Sequence, residues 1–468
     1  MNALVRATTW PAEFRATLAL AWPLILSQLV ENLLFATQVA MLGWLGSKYL
    51  AGGILTQALF TPLVLMGMST VSATSALISQ ARGRRDIKAV RHIVRQGLWL
   101  SIAIAALATP IALSIKPIYE ALGQDPELTQ LAQDFVSVGF LILFPANAMA
   151  VMRSYLSAFG ATRIILLSTL GALALNALLS YALILGNFGL PRLGLTGAAI
   201  ANATVNFFMV AVMLAYALTN RRLRRIRILA HFFQADWKVV REILRVGLPI
   251  GFTVLAEVGL FSAASILMGW LGTNETAAHA VALQVASTAF MVPLGLGLAA
   301  MVRVGIAYGA GDREGVGRAA FSAIALGVGF MGLTALLFVL APGLVISPFL
   351  DIRNPANAVP VALAASYLAV AGLFQLVDGA QVVVAHALRG LSDTRTPMLM
   401  AIGGYWGVGL PTGYVLAFVF GLRGVGVWLG LAVGLAFVCV LMLTRFTLRE
   451  RLGLLDPKPR PSAPGVAA

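Results

Sequence analysis

Apolar residues occur along the chain in long runs that do not alternate with polar residues. A run of roughly 20 apolar residues is long enough to cross a bilayer as a helix. The bilayer core offers no hydrogen-bond partners to a backbone, so only helices and closed barrels span it, and uniformly apolar runs favour helices. We predict an all-α integral membrane protein with twelve spans, over residues 18–42, 51–79, 96–115, 131–152, 164–185, 196–218, 246–270, 278–302, 319–346, 361–386, 398–419 and 425–444.

The first and seventh spans carry the same residues at the same spacing. Glu31 and Glu257 are 226 residues apart (257 − 31). The same offset relates Pro23 to Pro249, Gly43 to Gly269, Gly83 to Gly309 and Asp86 to Asp312. The chain is therefore an internal duplication of six spans. Because six is even, both copies enter the membrane from one side, as in parallel repeats related by an axis along the membrane normal.

The duplication predicts the domain organisation. We expect an N-terminal six-helix bundle over residues 1–218, a basic linker over 219–242, a C-terminal six-helix bundle over 243–447 and a disordered tail over 448–468. Residues 1–16 are expected to form a polar lead-in to the first span.

Charge is scarce and unevenly distributed. The chain has 468 residues, of which 59% are hydrophobic and 11% charged, with a formal net charge of +15; soluble proteins carry about 25% charged residues. With both termini in the cytoplasm, all but five Lys and Arg residues lie on the cytoplasmic side, as the positive-inside rule requires. The five exceptions are Lys48, Lys116, Arg192, Arg353 and Arg423. The positive charge therefore indicates topology, and no nucleic-acid partner is expected.

Three carboxylates lie well inside predicted spans: Glu31, Glu257 and Asp378. A charged carboxylate at the bilayer centre costs at least ~2.5 kcal/mol, so such a residue faces a cavity, pairs with a cation or carries a proton. Few basic residues lie deep in the predicted spans, and no arginine is expected to pair with these acids. A site that exchanges a proton or sodium ion for a cationic solute fits this pattern. A structural carboxylate bonded to a neighbouring Ser, Thr or Asn is the alternative.

Uncharged polar and aromatic residues inside spans are weaker signals. Asn176 and Ser180 share one helix face at i, i+4 spacing. Gln38, Gln284 and Gln375 either line a cavity or bond a neighbouring helix. His279 and His386 lack metal-ligand spacing and are interpreted as packing or hydrogen-bonding residues. Aromatic side chains such as those of Phe374 and Tyr405 can stack on flat cations or face lipid and core.

Several blocks of the second half occur in a characteristic order. They are Ala277-Ala278-His279, Phe290 to Gly295, Gly309 to Asp312, Leu388 to Leu391 and Asp393-Thr394. From about Ala19 to Arg445 the chain resembles the multidrug and toxic compound extrusion (MATE) transporters, in their NorM-like branch. The resemblance implies two six-helix bundles that face a central cleft in the bacterial inner membrane. It also implies export of cationic, often aromatic drugs by alternating access, in exchange for protons or sodium ions.

The resemblance assigns roles residue by residue. Glu257 and Asp378 match the acidic pair of the C-terminal bundle, implied to hold the coupling ion. Asn176 matches an asparagine implicated in cation binding. Gln38 and Ser180 stand where relatives have aspartates, and Phe374 stands where sodium-binding relatives can have a tyrosine; the missing oxygen favours protons. The candidate residues of the substrate site or second ion site are Glu31, Asn176, Ser180, Gln38, Gln284 and Phe374.

Two other function classes remain as alternatives. A flippase for a lipid-linked or amphipathic metabolite would need basic residues around an anionic substrate, and few lie in the spans. A membrane enzyme is disfavoured because no HExxH, GxSxG or paired-cysteine pattern occurs, and the single Cys439 excludes a cysteine metal cluster. We expect no cofactor beyond the coupling ion, and a monomer whose partners are small organic cations and membrane lipid.

Overall fold

A computed structural model describes residues 9–230 and 232–455 and contains twelve long helical segments. They are α1 (Trp10–Leu45), α2 (Ser47–Gly83), α3 (Ile87–Leu113), α4 (Pro126–Ala158), α5 (Thr162–Leu183), α6 (Gly194–Thr219), α7 (Trp237–Leu271), α8 (Thr273–Gly309), α9 (Arg313–Leu340), α10 (Ala358–Gly390), α11 (Arg395 to Val419) and α12 (Arg423–Thr447). Short helices Ile115–Ala121 and Pro342–Ile346 precede α4 and α10. The predicted fold class is confirmed.

Eleven of these segments, within the described ranges, are apolar and continuous enough to cross a membrane. α11 is the exception because its α-helical pieces, Arg395–Ile402 and Leu410–Tyr414, alternate with π-helical turns, Gly403–Gly409 and Val415–Val419. Several helices extend beyond the predicted spans; α1 begins at Trp10, inside the expected lead-in. Hydropathy marks only the apolar part of a helix, whereas the helix continues into its polar ends. Of the predicted disordered tail, 448–468, residues 448–455 form turns with Leu455 buried against the C-terminal bundle, and the rest, from position 456 onward, lies outside the described residues.

The internal duplication is visible in the backbone. Gly46 and Gly272 end α1 and α7 with φ of 122° and 135°, a region that favours glycine. α3 and α9 begin with an aspartate cap: Asp86 Oδ1 accepts from the Ala89 amide at 2.9 Å, and Asp312 Oδ1 from the Gly315 amide at 2.7 Å. These pairs show that the copies share turns and caps as well as spans.

Helices α1–α6 and α7–α12 form two six-helix bundles. One apolar cluster lies within the C-terminal bundle, and another extends from the N-terminal bundle across the contact into α7, α8, α9 and α10. The bundles meet where α1 and α2 pack against α7 and α8. Small residues allow this close approach: a Cβ on Gly305 would lie only 2.8 Å from the Ser79 Cβ, and one on Gly247 would overlap the Thr70 carbonyl. The contact therefore depends on glycine.

One end of the molecule, which we call the arginine-rich face, holds the start of α1, the ends of α2, α4, α8 and α10, and the linker between the bundles. The linker is packed rather than free. Trp99 Nε1 donates to the Phe232 carbonyl at 2.7 Å, Gln96 Nε2 donates to the Gln234 carbonyl at 2.8 Å, and Ile226 is buried. The linker is thereby fixed to α3.

Candidate functional site

A cavity of about 280 Å³ lies inside the C-terminal bundle, among α7, α8 and α10. Two of its lining residues are acids, Glu257 from α7 and Asp378 from α10, and the two carboxylates act on each other electrostatically. Asp378 is only 4% exposed, and its Oδ1 has no hydrogen-bond partner in the part of the chain that the structure describes. A buried carboxylate oxygen that no protein group satisfies is available to a proton, a water molecule or a cation that enters the cavity.

The rest of the cavity wall combines aromatic rings with hydroxyl groups. Phe374 packs edge-to-face against Phe261, with ring centroids 6.3 Å apart, and against Trp428 at 5.7 Å. Phe290 adds a third cavity ring, and the hydroxyl groups come from Ser262, Ser265 and Ser287. Such a wall can contact a flat organic cation through ring faces while the two carboxylates neutralise its charge.

A buried tyrosine on α11 is hydrogen-bonded to the helix that carries Asp378. Tyr405 is fully buried in the first π-helical turn of α11, and its hydroxyl accepts a hydrogen bond of 2.9 Å from Gln381 Nε2. Gln381 is on α10, three residues after Asp378, so the hydrogen bond joins Tyr405 to the helix segment that carries this acid. The sequence indicated Tyr405 only as an aromatic residue. Its position was recognisable only from the packing of α11 on α10, with π-turns, frequent at functional sites, as a hint.

One cation acts electrostatically on Glu257 from within the bundle, Arg389 on α10. Arg389 Nη1 donates to His386 Nε2 at 3.2 Å, while His386 Nδ1 is 2.8 Å from the Val382 carbonyl. The carbonyl can only accept, so Nδ1 carries the proton and Nε2 is the acceptor. His386 is therefore a neutral hydrogen-bonding residue that orients Arg389, in keeping with its interpretation from the sequence.

The equivalent glutamate of the N-terminal bundle, Glu31, lies in an ion pair. Glu31 on α1 forms an ion pair with Arg153 on α4, and Arg153 Nη1 also donates to Gln28 Oε1 at 2.9 Å. The expectation that no arginine pairs with a buried glutamate is wrong. Arg153 falls just outside the predicted fourth span, but its long side chain reaches back along the helix to Glu31.

The remaining predicted residues do not join the acidic pair, except Phe374, which lines the same cavity. Gln38 Nε2 donates to the Ala198 carbonyl on α6 at 3.2 Å, a helix-to-helix bond. Asn176 and Ser180 are buried on α5 in the N-terminal bundle; Asn176 Nδ2 and Ser180 Oγ have no partner within residues 9–230 and 232–455. Gln284 is exposed on α8 and is not among the cavity residues.

The six candidates for a substrate or second ion site are therefore spread over both bundles, and only one of them, Phe374, meets the acidic pair. No cluster of three His, Cys, Asp or Glu residues suited to a metal ion occurs among the described residues. The site is instead a two-carboxylate cavity in the C-terminal bundle, while the equivalent glutamate of the N-terminal bundle forms an ion pair with Arg153.

Comparison with known proteins agrees with this architecture. The MatE family model matches residues 23–182 and 249–415, one match in each copy of the duplication. The chain is 44% identical over 445 residues to the "Probable multidrug resistance protein NorM" of Mesorhizobium japonicum, covering 95% of both chains. It is 42% identical over 447 residues to the "Multidrug resistance protein NorM" of Burkholderia vietnamiensis, covering 94% of this chain and 95% of that protein.

The fold also matches solved structures. A crystal structure described as MATE in complex with MaL6 superposes with a TM-score of 0.87, over 97% of this chain and 98% of that chain, at 20% sequence identity. At that identity the likeness concerns the fold, two bundles of transmembrane helices.

Proposed function

Because the chain belongs to the multidrug and toxic compound extrusion (MATE) family, we propose that it is a secondary active antiporter that exports cationic, often aromatic drugs in exchange for protons or sodium ions. The observation that carries this proposal is the acidic cavity, in which Asp378 Oδ1 lacks a donor among the residues described. The names of the NorM relatives as multidrug resistance proteins support drugs as the substrate class.

The lining of the cavity favours a positive charge on the substrate. It holds two acids and no lysine or arginine among its lining residues, all of which are described. The two carboxylates would repel a lipid-linked anion, so the composition of the cavity disfavours the flippase alternative. An aromatic cation would place its charge near Glu257 and Asp378 and its rings against Phe261, Phe290 and Phe374.

The acidic pair supplies a physical basis for exchange. Two carboxylates in one buried cavity repel each other, and Arg389 offsets the charge of only one of them, so the pair favours a further cation or a proton, for which substrate and coupling ion compete. Export then requires that the pair bind the coupling ion more tightly when the cleft is open to the outside, and the drug more tightly when it is open to the cytoplasm. Phe374 contributes no oxygen to the site, which supports protons over sodium ions.

The orientation follows from charge. The arginine-rich face lies in the cytoplasm, as the positive-inside rule predicts, and both termini lie on that side of a bacterial inner membrane. Drug export then runs from the arginine-rich face to the opposite face.

Reconstitution into liposomes tests the proposal. A proton gradient and a sodium gradient are imposed separately, and ethidium transport is followed by fluorescence. We expect transport with the proton gradient, and its loss in Glu257→Gln and Asp378→Asn. Glu120→Gln, which removes an exposed acid on helix Ile115–Ala121, is the matched control and retains transport. Undiminished transport by both cavity variants contradicts the assignment of the site.

A further inference from the structure

A buried ion pair joins the two bundles at the arginine-rich face. Glu13, in the first turn of α1, accepts two hydrogen bonds from Arg303, near the end of α8: Nε to Oε1 at 2.8 Å and Nη2 to Oε2 at 2.6 Å. The exposed fraction is 2% for Glu13 and 6% for Arg303. A bidentate carboxylate–guanidinium pair of this kind is directional and strong because it is shielded from water.

The neighbouring contacts close the same part of the interface. Gln80 Nε2, at the end of α2, donates to the Gly390 carbonyl at 2.8 Å and to Ser392 Oγ at 2.9 Å, both in the C-terminal bundle. Gly309 of α8 lies directly on the Gln80 backbone, where a Cβ would overlap the carbonyl oxygen. The bundles are therefore in direct backbone contact around the Glu13–Arg303 pair.

A second arginine adds to the positive charge that Glu13 neutralises at this position. Arg82, on α2 of the N-terminal bundle, acts electrostatically on Arg303 of the C-terminal bundle, and the two charges repel. Arg82 is held by a hydrogen bond to the Ala158 carbonyl. Without Glu13, the interface would lose its ion pair between the bundles and keep the repulsion between Arg82 and Arg303, which separation of the bundles would relieve.

We propose that the Glu13–Arg303 ion pair holds the cleft shut at the arginine-rich face, and that the pair must separate before the cleft opens there. The proposal rests on the transport function above for its biological meaning, because an exporter has to open towards the cytoplasm to load its substrate. Because the pair forms only in the closed arrangement, its interaction energy stabilises the closed arrangement relative to the one that is open at the arginine-rich face.

Distance measurements between spin labels test the proposal without any transport. The labels are placed at Lys88→Cys and Glu314→Cys, equivalent exposed positions in the first turns of α3 and α9, with Cys439→Ala as background. In the parent protein we expect one short distance to predominate. In Glu13→Gln, the closed arrangement keeps the repulsion between Arg303 and Arg82 but loses the carboxylate that offsets it. We therefore expect the ratio of long to short distances to rise at least about tenfold.

Two further variants separate the pair from general destabilisation. The charge exchange, Glu13→Arg with Arg303→Glu, restores the attraction and returns the short distance. Asp393→Asn breaks a comparable bidentate pair to Arg445, with bonds of 2.6 and 3.2 Å, at the same face but within the C-terminal bundle, and leaves the distances unchanged. If Glu13→Gln does not fold, the test rests on whether the charge-exchange variant shows the same short spin-label distance as the parent protein.

The proposal is overturned if Glu13→Gln keeps the short distance, if Asp393→Asn lengthens it equally, or if the charge exchange fails to restore it. Because the distances are measured without substrate or gradient, a failure here leaves the transport assignment intact. Conversely, if this protein transports a different class of substrate, Glu13→Gln still changes the spin-label distance.

Discussion

The ion pair between Glu31 and Arg153 allows a quantitative prediction about the N-terminal bundle. Arg153→Gln leaves a carboxylate without its cation inside an apolar helix, which costs at least ~2.5 kcal/mol at the bilayer centre. The side chains are 26% and 14% exposed, so water screens part of this cost. We expect a loss of about 1.5–2.5 kcal/mol in the free energy of unfolding.

The double variant Glu31→Gln/Arg153→Gln removes both charges and restores a neutral pair. It is expected to be more stable than the sum of the single variants by about 1–2 kcal/mol, which is the coupling energy of the double-mutant cycle. Unfolding is measured by titration with sodium dodecyl sulfate in mild detergent, followed by tryptophan fluorescence. The exposed pair Lys48–Glu127, at 47% and 68% exposure, is the matched control, with a coupling energy near zero.

A coupling energy close to zero for Glu31 and Arg153 refutes the assignment of a stabilising ion pair. The interpretation also fails if Glu31→Gln retains full stability yet abolishes ethidium transport as completely as Glu257→Gln. That result would make Glu31 a coupling residue, equal in role to its counterpart in the other bundle.

Three further predictions concern other parts of the molecule. Phe374→Tyr adds an oxygen beside the acidic pair, and we expect sodium-driven ethidium transport in liposomes to rise relative to proton-driven transport; an unchanged ratio contradicts the role given to Phe374. Gly309→Val places methyl groups against the Gln80 backbone, so spin-label distances at the arginine-rich face should lengthen, whereas unchanged distances would mean that the contact is not tight. Tyr405→Phe leaves the Gln381 amide without its acceptor, at a cost of about 1–3 kcal/mol in unfolding free energy, and wild-type stability would show that the bond is dispensable.

The fold was largely predictable because repetition and hydropathy are properties of the linear sequence. The offset between Glu31 and Glu257 predicted two equivalent bundles, and the shared glycine turns and aspartate caps follow the same offset. The π-helical turns of α11 were not predictable in this way. Their apolar composition is that of any span, and the first turn, Gly403–Gly409, lies where Gly404 and Gly409 pack closely on α12.

The ion pairs of the buried glutamates could not be predicted from hydropathy and span boundaries. Arg153 and Arg303 each follow the last residue of a predicted span, so hydropathy places both on the aqueous side. Their long side chains reach back to Glu31 and Glu13, and only the folded structure shows this. Glu13 was assigned to a polar lead-in, but it is a helical residue buried between the bundles.

The central claim is that a cationic drug and the coupling ion compete for Glu257 and Asp378. Calorimetry of ethidium binding to the purified protein, in sodium-free buffers that differ in ionisation enthalpy, counts the protons released on binding. We predict release of about one proton per bound cation by the wild-type protein and a clear reduction in Asp378→Asn. Binding without proton release, at an affinity that added sodium does not weaken, would contradict the claim.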